Sequence, residues 1–300
     1  MSTDTSRHLS RRDLLAGAAA LLTTSTVSRA QHADHAAALQ ALETRAGGRL
    51  GVCILDSRTG HVVGHRLDER FAMCSTFKLP LAALILREAD QGRLQLGDVV
   101  RYTQKDMVPF APLTSQHLRE GGMNVGALAE AAQVTSDNVA ANLLLARLGG
   151  PTGFTARLRE LGDRQTRLDR LEPELNLVLP GDERDTTTPR AMAETASRLL
   201  TRDVLTPASR EQLIDWMVKT RTGDRRIRAG LPKDWRAGDK TGTATADTMT
   251  DKINDVAIAF PPGRSALVVV AFYDSSRRSE EVRDQDQAVL AEVGRLAATL

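Results

Sequence analysis

The sequence predicts a discontinuous α/β domain that carries an inserted all-α domain. Three observations support this prediction. Strand-like segments lie near both ends of the 300-residue chain, the region between them reads as helices, and hydrophobic residues make up 41% of the composition, enough for a packed core. The chain has no internal repeat, low-complexity tract or long linker. A crevice between two such domains is a favoured position for a ligand site.

The first strands follow a short helix. Residues 34–46 read as a helix that ends at Gly47 and Gly48. The next segment alternates apolar and other residues, which predicts a half-buried strand with Leu50, Val52 and Ile54 on its apolar face. A turn over 57–60 then leads to a return strand that begins at Val62.

The middle of the chain, residues 75–218, is predicted to be helical. Thr188 and Thr206 each precede a proline, a pattern typical of an N-cap followed by Pro at the first helical position. An apolar helix over 139–148 is expected to stop at Gly149, Gly150 and Pro151. Strands are predicted again at 240–243, 255–260 and 267–272, and a last helix carries Val289, Val293, Leu296 and Leu300 on one face.

Charge and histidine spacing argue against two classes of partner. The chain has 40 basic and 38 acidic residues, and four Arg and two Asp lie within positions 1–30, so 36 of each sign remain. A neutral mature surface does not favour nucleic acid. The histidines considered as metal ligands lack zinc-like spacing, so we expect solvated side chains and no metal or other cofactor: His32, His35, His61, His65 and His117.

The N-terminal segment predicts export. A twin-arginine pattern at Arg11 and Arg12 precedes an apolar run over 14–22, which is too short to span a bilayer. Small residues before Gln31 suit a signal peptidase, so residues 1–30 are predicted to be a signal peptide. We therefore expect a periplasmic or secreted protein, delivered already folded, without stable membrane association.

Two cysteines, Cys53 and Cys74, can form at most one disulfide, and the sequence does not decide whether they do. Free cysteine commonly behaves as a small hydrophobe. We expect two reduced, buried thiols.

The first chemical motif pairs a serine with a lysine. Ser75 and Lys78 lie three residues apart ahead of an apolar helix, which predicts that they share one helix face. A serine hydroxyl needs a nearby base, and a desolvated lysine with a lowered pKa can serve. The helix N-terminus would favour developing negative charge. Alone, the pattern is weak, because it is far more often a capping serine and a solvated lysine.

Two further motifs follow along the chain. Ser136, Asp137 and Asn138 open a predicted helix, where they could also be a simple N-cap cluster. The triplet over 240–242 lies on a predicted strand and contains Lys240, Thr241 and Gly242. The lysine could be an ordinary edge-strand residue, whereas the glycine permits close backbone approach to a ligand.

All three motifs, in this order and at these separations, are typical of class A β-lactamases and penicillin-binding proteins. The chain resembles a class A serine β-lactamase over nearly its whole length after the N-terminal segment. The resemblance implies the α/β plus all-α two-domain fold of that group, with an antiparallel sheet flanked by the N- and C-terminal helices. The α/β domain would comprise 31–66 and 220–300, and the all-α domain 67–219 with an omega loop over 170–185.

The omega loop carries a fourth element. Glu172 matches the family's general base, and Asn176 matches the residue that helps to hold the hydrolytic water. The resemblance also implies a cis bond before Pro173, an isomer that is affordable only before proline. Arg170 and Asp185 match the pair that ties the two ends of the loop together.

Further residues match the family's substrate contacts. Arg226 resembles the arginine that helps to bind the substrate carboxylate in one branch, although it could be one more surface charge in a basic run. Thr243 resembles the residue whose N–H completes the oxyanion hole. Phe110 resembles the aromatic at the cleft rim or, equally, a core phenylalanine.

One departure from the family concerns the hairpin after Gly242. The stretch over 243–252 is longer than usual and lacks the usual glycines, which leaves substrate preference open. Cys74 precedes the nucleophile as in the carbapenem-hydrolysing branch, but Ala244 stands where its disulfide partner would be. That bridge cannot form here.

The resemblance implies that the enzyme opens the ring of penicillin-like and cephalosporin-like antibiotics as a monomer, and that it confers resistance. The expected catalytic residues are Ser75, Lys78, Ser136 and Glu172. The expected substrate-binding residues are Asn138, Asn176, Lys240, Thr241, Gly242, Thr243, Arg226 and Phe110. The alternatives are a D,D-peptidase, which is acylated almost irreversibly, and a non-catalytic sensor, which needs a membrane anchor. The pair Glu172 and Asn176 argues against both.

Overall fold

A computed structural model describes residues 34–279 and 281–300. The predicted signal peptide over 1–30 and the predicted mature start near Gln31 lie outside the described residues. No helix in the described ranges is long and apolar enough to cross a membrane.

The strands and helices follow the predicted order, with strand-rich ends and a helical middle. The strands are β1 (Arg49–Asp56), β2 (Val62–His65), β3 (Phe71–Ala72), β4 (Val99–Arg101), β5 (Gly122–Asn124), β6 (Thr186–Thr187), β7 (Arg236–Ala246), β8 (Met249–Phe260) and β9 (Leu267–Asp274). The helices are α1 (34–46), α2 (Lys78–Asp90), α3 (Val125–Val134), α4 (Asn138–Arg147), α5 (Gly150–Glu160), α6 (Pro189–Thr201), α7 (Pro207–Lys219), α8 (Ile227–Gly230) and α9 (Asp284–Ala298).

The main sheet has five antiparallel strands in the order β2-β1-β9-β8-β7. Strand β1, from the N-terminal part of the chain, pairs over its whole length with β9, from Arg49 opposite Asp274 to Asp56 opposite Leu267. Strand β7 forms one edge of the sheet. The predicted fold class, an antiparallel sheet flanked by terminal helices with a helical insertion, is confirmed.

Both faces of the sheet are covered, which corrects the expectation that β1 is half-buried. Leu50, Val52 and Ile54 pack in one core with α1 and α9. Their neighbours Cys53 and Leu55 point to the other face and pack in a second core with the helices of the middle region. Successive side chains of β1 do alternate between the two faces of the sheet, but each face packs against an apolar core and neither faces solvent.

Local signals fixed several helix ends. The Oγ1 of Thr188 accepts a hydrogen bond from the N–H of Ala191 at 3.1 Å, and Thr206 caps α7 in the same way. Helix α4 ends at Arg147, as expected near the glycines, but Gly150 at once begins α5, with Pro151 in its first turn. The C-terminal strands are longer than predicted because their polar residues are buried in contacts with one another rather than exposed in loops.

Candidate active site

Ser75 lies where the edge strand β7 meets the start of α2. It belongs to a 3-10 helix over Cys74–Phe77. Helix α2 itself begins at Lys78, three residues after Ser75, which was expected to lie at the N-terminus of that helix. Residues i and i+3 eclipse in a 3-10 helix, so the two side chains still share one face. A Cβ on Gly242 would lie 2.6 Å from the carbonyl oxygen of Met73. Only glycine therefore lets β7 pass this close to the serine.

Lys78 is completely buried and makes four short contacts. Its Nζ donates to Ser75 Oγ at 2.8 Å, to the Ser136 carbonyl oxygen at 2.9 Å and to Asn138 Oδ1 at 2.5 Å, and it lies 2.9 Å from Glu172 Oε1. Burial lowers the pKa of Lys78, while the neighbouring Glu172 carboxylate opposes that shift. This places an amine that can lose its proton beside the serine hydroxyl.

Ser136 places its hydroxyl between two lysines. Lys240 Nζ donates to Ser136 Oγ at 3.0 Å, and Lys78 Nζ lies 3.4 Å from the same oxygen. Burial holds the pKa of Lys240 well below its ordinary value. Asp137 caps α4 through the N–H of Ala140, so the N-cap interpretation of this triplet is also correct, and its neighbours are free to face the site.

Glu172 is buried against Ser75 from the opposite side. Its Oε1 accepts a hydrogen bond from Ser75 Oγ at 3.2 Å, and its Oε2 accepts one from Asn176 Nδ2 at 2.6 Å. The peptide bond between Glu172 and Pro173 is cis, as expected. The Arg170–Asp185 contact is also confirmed, at 2.6 Å between Nε and Oδ2.

Asn142 also belongs to the site, although none of the predicted motifs includes it. Its Oδ1 accepts the Glu172 N–H at 2.9 Å, and its Nδ2 donates to the Glu172 carbonyl oxygen at 2.9 Å. Asn142 therefore holds the backbone of the candidate base from the side of α4. The signal was present in the spacing, since Asn142 lies one helical turn after Asn138 on the same face.

Arg226 is 4% exposed, so the alternative that it is one more surface charge is wrong. It donates to the carbonyl oxygens of Gly242 and Asn254 at 3.0 and 2.7 Å, and to Thr243 Oγ1 at 2.7 Å. Burial lowers the pKa of its guanidinium. The arginine thus supports β7 where that strand borders the cleft. Thr241 is held beside it, 2.7 Å from Thr222 through the two hydroxyls.

A cleft of about 770 Å³ opens above these groups. Ser75, Ser136, Asn138, Asn176, Thr241, Thr243 and Arg226 all line it, while Lys78, Glu172, Lys240 and Gly242 lie behind its wall. Phe110 is 61% exposed at its rim, so the core alternative for that residue is wrong. The structure brings all the predicted site residues together.

The 243–252 hairpin forms part of the cleft wall. Strands β7 and β8 are joined by a short turn at Asp247 and Thr248, with an irregular register between Ala244 and Ala246. Thr245, Ala246 and Met249 line the cleft. This hairpin is therefore placed to contact whatever the cleft binds.

The cysteines have structural surroundings, and His65, which was expected to be solvated, is partly buried with its Nε2 3.1 Å from Glu43 Oε2. Cys53 and Cys74 are free and buried, and burial raises the pKa of each thiol to about 12. Cys74 packs in a small apolar cluster with Ala244, the position expected for a missing disulfide partner. Over residues 34–279 and 281–300, no three His, Cys, Asp or Glu side chains are grouped so as to hold a metal ion.

Comparisons with known proteins agree on one family. The sequence model of the "Beta-lactamase enzyme family" matches residues 34–299. The chain is 45% identical over 275 residues to the β-lactamase AST-1 of Nocardia asteroides, covering 92% of this chain and 84% of that protein. It is 41% identical to the carbapenem-hydrolysing β-lactamase KPC of Klebsiella oxytoca, covering 85% of each.

Solved structures give the same result. An ancestral class A β-lactamase superposes with a TM-score of 0.83 at 52% identity, covering 88% of this chain and 99% of that one. A β-lactamase from Xanthomonas campestris superposes with a TM-score of 0.84 at 44% identity, covering 90% of this chain and 98% of that one.

Proposed function

The chain belongs to the class A serine β-lactamase family, and from that premise we propose how its cleft opens the ring of penicillin-like and cephalosporin-like antibiotics. The enzyme hydrolyses the β-lactam amide bond through a covalent acyl-enzyme, and this activity confers antibiotic resistance. The assignment of its steps to residues is our proposal. It depends on one observation, that Ser75 Oγ lies within hydrogen-bond distance of both Lys78 Nζ and Glu172 Oε1.

In the acylation half, Ser75 Oγ attacks the lactam carbonyl carbon and forms an ester as the C–N bond breaks. Its proton passes to Lys78, or to Glu172 through a water; which of them acts is disputed for the family. The buried Lys78 has a lowered pKa, which favours the neutral amine that can accept the proton. The backbone N–H groups of Ser75 and Thr243 would stabilise the oxyanion.

Ser136 then delivers a proton to the departing ring nitrogen. Its hydroxyl receives a hydrogen bond from Lys240 at 3.0 Å, which stabilises the oxygen as it gives up its proton. Lys78 lies 3.4 Å from the same oxygen and can return the proton taken from Ser75. Ser75, Lys78 and Ser136 thus form one path for a single proton, and Lys240 stabilises the last oxygen on it.

In the deacylation half, Glu172 activates a water that attacks the ester carbon. Asn176 holds one carboxylate oxygen of Glu172 at 2.6 Å, so the other oxygen faces Ser75. This half distinguishes the proposed hydrolase from a D,D-peptidase or a sensor, both of which stay acylated.

Substrate groups beyond the ring bind on two sides of the serine. Arg226, Thr241 and Thr243 line the cleft on the β7 side and suit a carboxylate. Asn138 lines the other side, where its amide donates one N–H to Pro109 and has a second N–H for the substrate's side-chain amide.

The protein is proposed to be exported to the periplasm as a folded monomer after cleavage near Gln31. The twin-arginine signal at Arg11 and Arg12 supports this proposal. Replacing both arginines by lysine should block export, and unchanged export would refute the twin-arginine route. The domain boundaries given above, with residues 67–219 inserted between 31–66 and 220–300, remain part of the same proposal.

The test of the proposed function is steady-state hydrolysis of a penicillin, a cephalosporin and a carbapenem by the purified protein. Mass spectrometry of the quenched reaction should show the acyl group on the Ser75 peptide. Ser75→Ala should abolish turnover while leaving thermal unfolding unchanged. Near-normal hydrolysis by this variant would show that the nucleophile is another residue.

A further inference from the structure

Two fully buried carboxyl groups lie beneath the substrate-binding edge of the sheet. Asp239 is on β7 and Asp255 on β8, and neither is exposed. In the register of the two strands Thr241 is opposite Asp255 and Asp239 is opposite Ala257. Paired residues of antiparallel strands share a face, and so do residues two apart, so the two aspartates are diagonal neighbours on one face.

Each of these carboxyl groups has one oxygen bonded and one without a partner. Asp239 Oδ2 accepts a hydrogen bond from Arg228 Nε, and Asp255 Oδ2 accepts one from the Ile227 N–H at 3.1 Å. The Oδ1 atom of each is buried and has no hydrogen-bond partner. A buried ionised oxygen without a donor is costly, and two adjacent ones are more so. A single proton kept by the pair would remove one of these two buried charges and supply one O–H donor.

The surrounding charges show what such a proton would change. Arg226 and Lys240 lie on the cleft side, while Arg228 lies behind them, beside the more exposed Asp224 at 3.0 Å. Arg226 bonds to carbonyl and hydroxyl oxygens and has no direct ion pair with either aspartate. Two ionised carboxylates would offset the positive charge of Arg226 and Arg228, whereas a pair that keeps one proton leaves a net positive charge.

We propose that Asp239 and Asp255 share one proton and thereby act as positioning residues that preserve the positive charge with which Arg226 holds the substrate carboxylate. The inference rests on the proposed function, since it assumes that Arg226 faces that carboxylate. Neither aspartate lines the cleft or touches substrate. Their effect reaches the substrate through the electrostatic field alone.

The titration behaviour of the pair supports this. Burial and the neighbouring Asp239 charge raise the pKa of Asp255 well above its ordinary value, and burial raises the pKa of Asp239 to about 6. Interacting groups of this kind lose their protons in two steps that belong to the pair. The pair therefore keeps one proton to a higher pH than an ordinary carboxyl group does, and loses it as the pH rises further.

The consequence is a pH-dependent KM. When the shared proton leaves, the net charge below the cleft falls by one and attraction for a carboxylate weakens. For a unit charge about 12 Å away in an effective dielectric of about 20, Coulomb's law corresponds to a rise in KM of about tenfold. A substrate whose carboxylate is esterified should not show this alkaline rise.

Asp255→Asn is the sharpest variant. The amide oxygen can accept the Ile227 N–H as before, and the amide carries no charge, so the side chain mimics the protonated pair at every pH. Asp224→Asn is the matched control, because it removes a carboxylate beside the same Arg228 without touching the pair. Lys240 also loses its charge as the pH rises, but that loss is common to the wild type, Asp255→Asn and Asp224→Asn.

Two measurements test the proposal. Infrared spectroscopy of protein with labelled aspartate should show a protonated carboxyl band at neutral pH in the wild type and in Asp224→Asn, and no such band in Asp255→Asn. The alkaline rise of KM should be about tenfold smaller in Asp255→Asn than in the wild type and in Asp224→Asn, because only the contribution of Lys240 remains in that variant. Absence of the band, or the same KM profile in wild type and Asp255→Asn, would overturn the proposal. The infrared result does not need turnover, so it separates this inference from a failure of the proposed function.

Discussion

Glu172 gives the most exacting test of the proposed chemistry. We consider Glu172→Gln, which keeps the size of the side chain and removes its charge and its ability to take a proton. Its amide oxygen can still accept from Asn176, as Oε2 does at 2.6 Å, and the amide nitrogen then faces Ser75 and Lys78. A positioned general base contributes roughly 10²–10⁴-fold, so deacylation should slow by that factor.

Acylation should slow less than deacylation. Lys78 remains 2.8 Å from Ser75 Oγ, and without the facing carboxylate its pKa should fall further, which favours the neutral amine. The same fall in the pKa of Lys78 limits the loss of folding stability in Glu172→Gln. Breaking a buried ion pair costs about 3–5 kcal/mol when the remaining charge stays, and a lysine that loses its proton avoids part of this cost. The variant should therefore fold.

The assay is rapid mixing with a chromogenic cephalosporin, followed by mass spectrometry. The variant should release about one equivalent of product in a burst and then stall with the acyl group on the Ser75 peptide. Glu174→Gln is the matched control, because it makes the same chemical change two residues along the loop at an exposed side chain. Rapid steady turnover by Glu172→Gln would refute the assignment of the deacylating base. A stable adduct on the unmutated protein would instead support the D,D-peptidase or sensor alternatives.

Three further outcomes are expected. Arg226→Ala should lower kcat/KM by roughly 10- to 100-fold, because a charge-assisted hydrogen bond contributes roughly 1.5–3 kcal/mol, and an effect under about threefold would place Arg226 outside the substrate site. Hydrogen bonds from Arg93, then from Arg157, hold the pKa of Glu88 at about 2, below its ordinary 4.5. The stabilisation of the folded state by the ionised Glu88 is present above pH 4.5 and is lost as the pH falls towards 2. Glu88→Gln should therefore lower the free energy of unfolding by up to about 3 kcal/mol at pH 7 and little at pH 2. Equal losses at both pH values would contradict this. Activity should survive exhaustive chelation, because the proposed steps use side chains alone, and a loss restored by zinc would overturn the serine mechanism.

Residue spacing predicted the centre of the site well. Ser75 and Lys78 are three residues apart, so any helical turn brings them together, and the motifs around Ser136 and Lys240 added the groups that face them. The loop with Glu172 was also predictable, because the residues that close it, Arg170 and Asp185, are typical of the family. These features depend on local order along the chain, which a sequence shows directly.

Other features depend on which residues tertiary packing buries. Arg225, Arg226 and Arg228 form one basic run, yet the side chain of Arg225 is 69% exposed while Arg226 is buried. The orientation of this segment against β7 decides which of these arginines is buried, and no local sequence pattern encodes that orientation. The aspartate pair likewise becomes visible only with the register of β7 and β8. Asn142 looked like an ordinary polar residue of an apolar helix until the loop that it binds was in place.

The pairing of β1 with β9 has a consequence for how the chain is made. Residues 49–56 are synthesised more than 200 residues before their partner strand at 267–274. A contact of such long range must form against a large loop-closure entropy and cannot form before the partner exists. The five-stranded sheet should therefore assemble only after β9 has been synthesised. A nascent chain stopped before β9 should expose both faces of β1 to proteases and chaperones, whereas a chain that includes β9 should protect them.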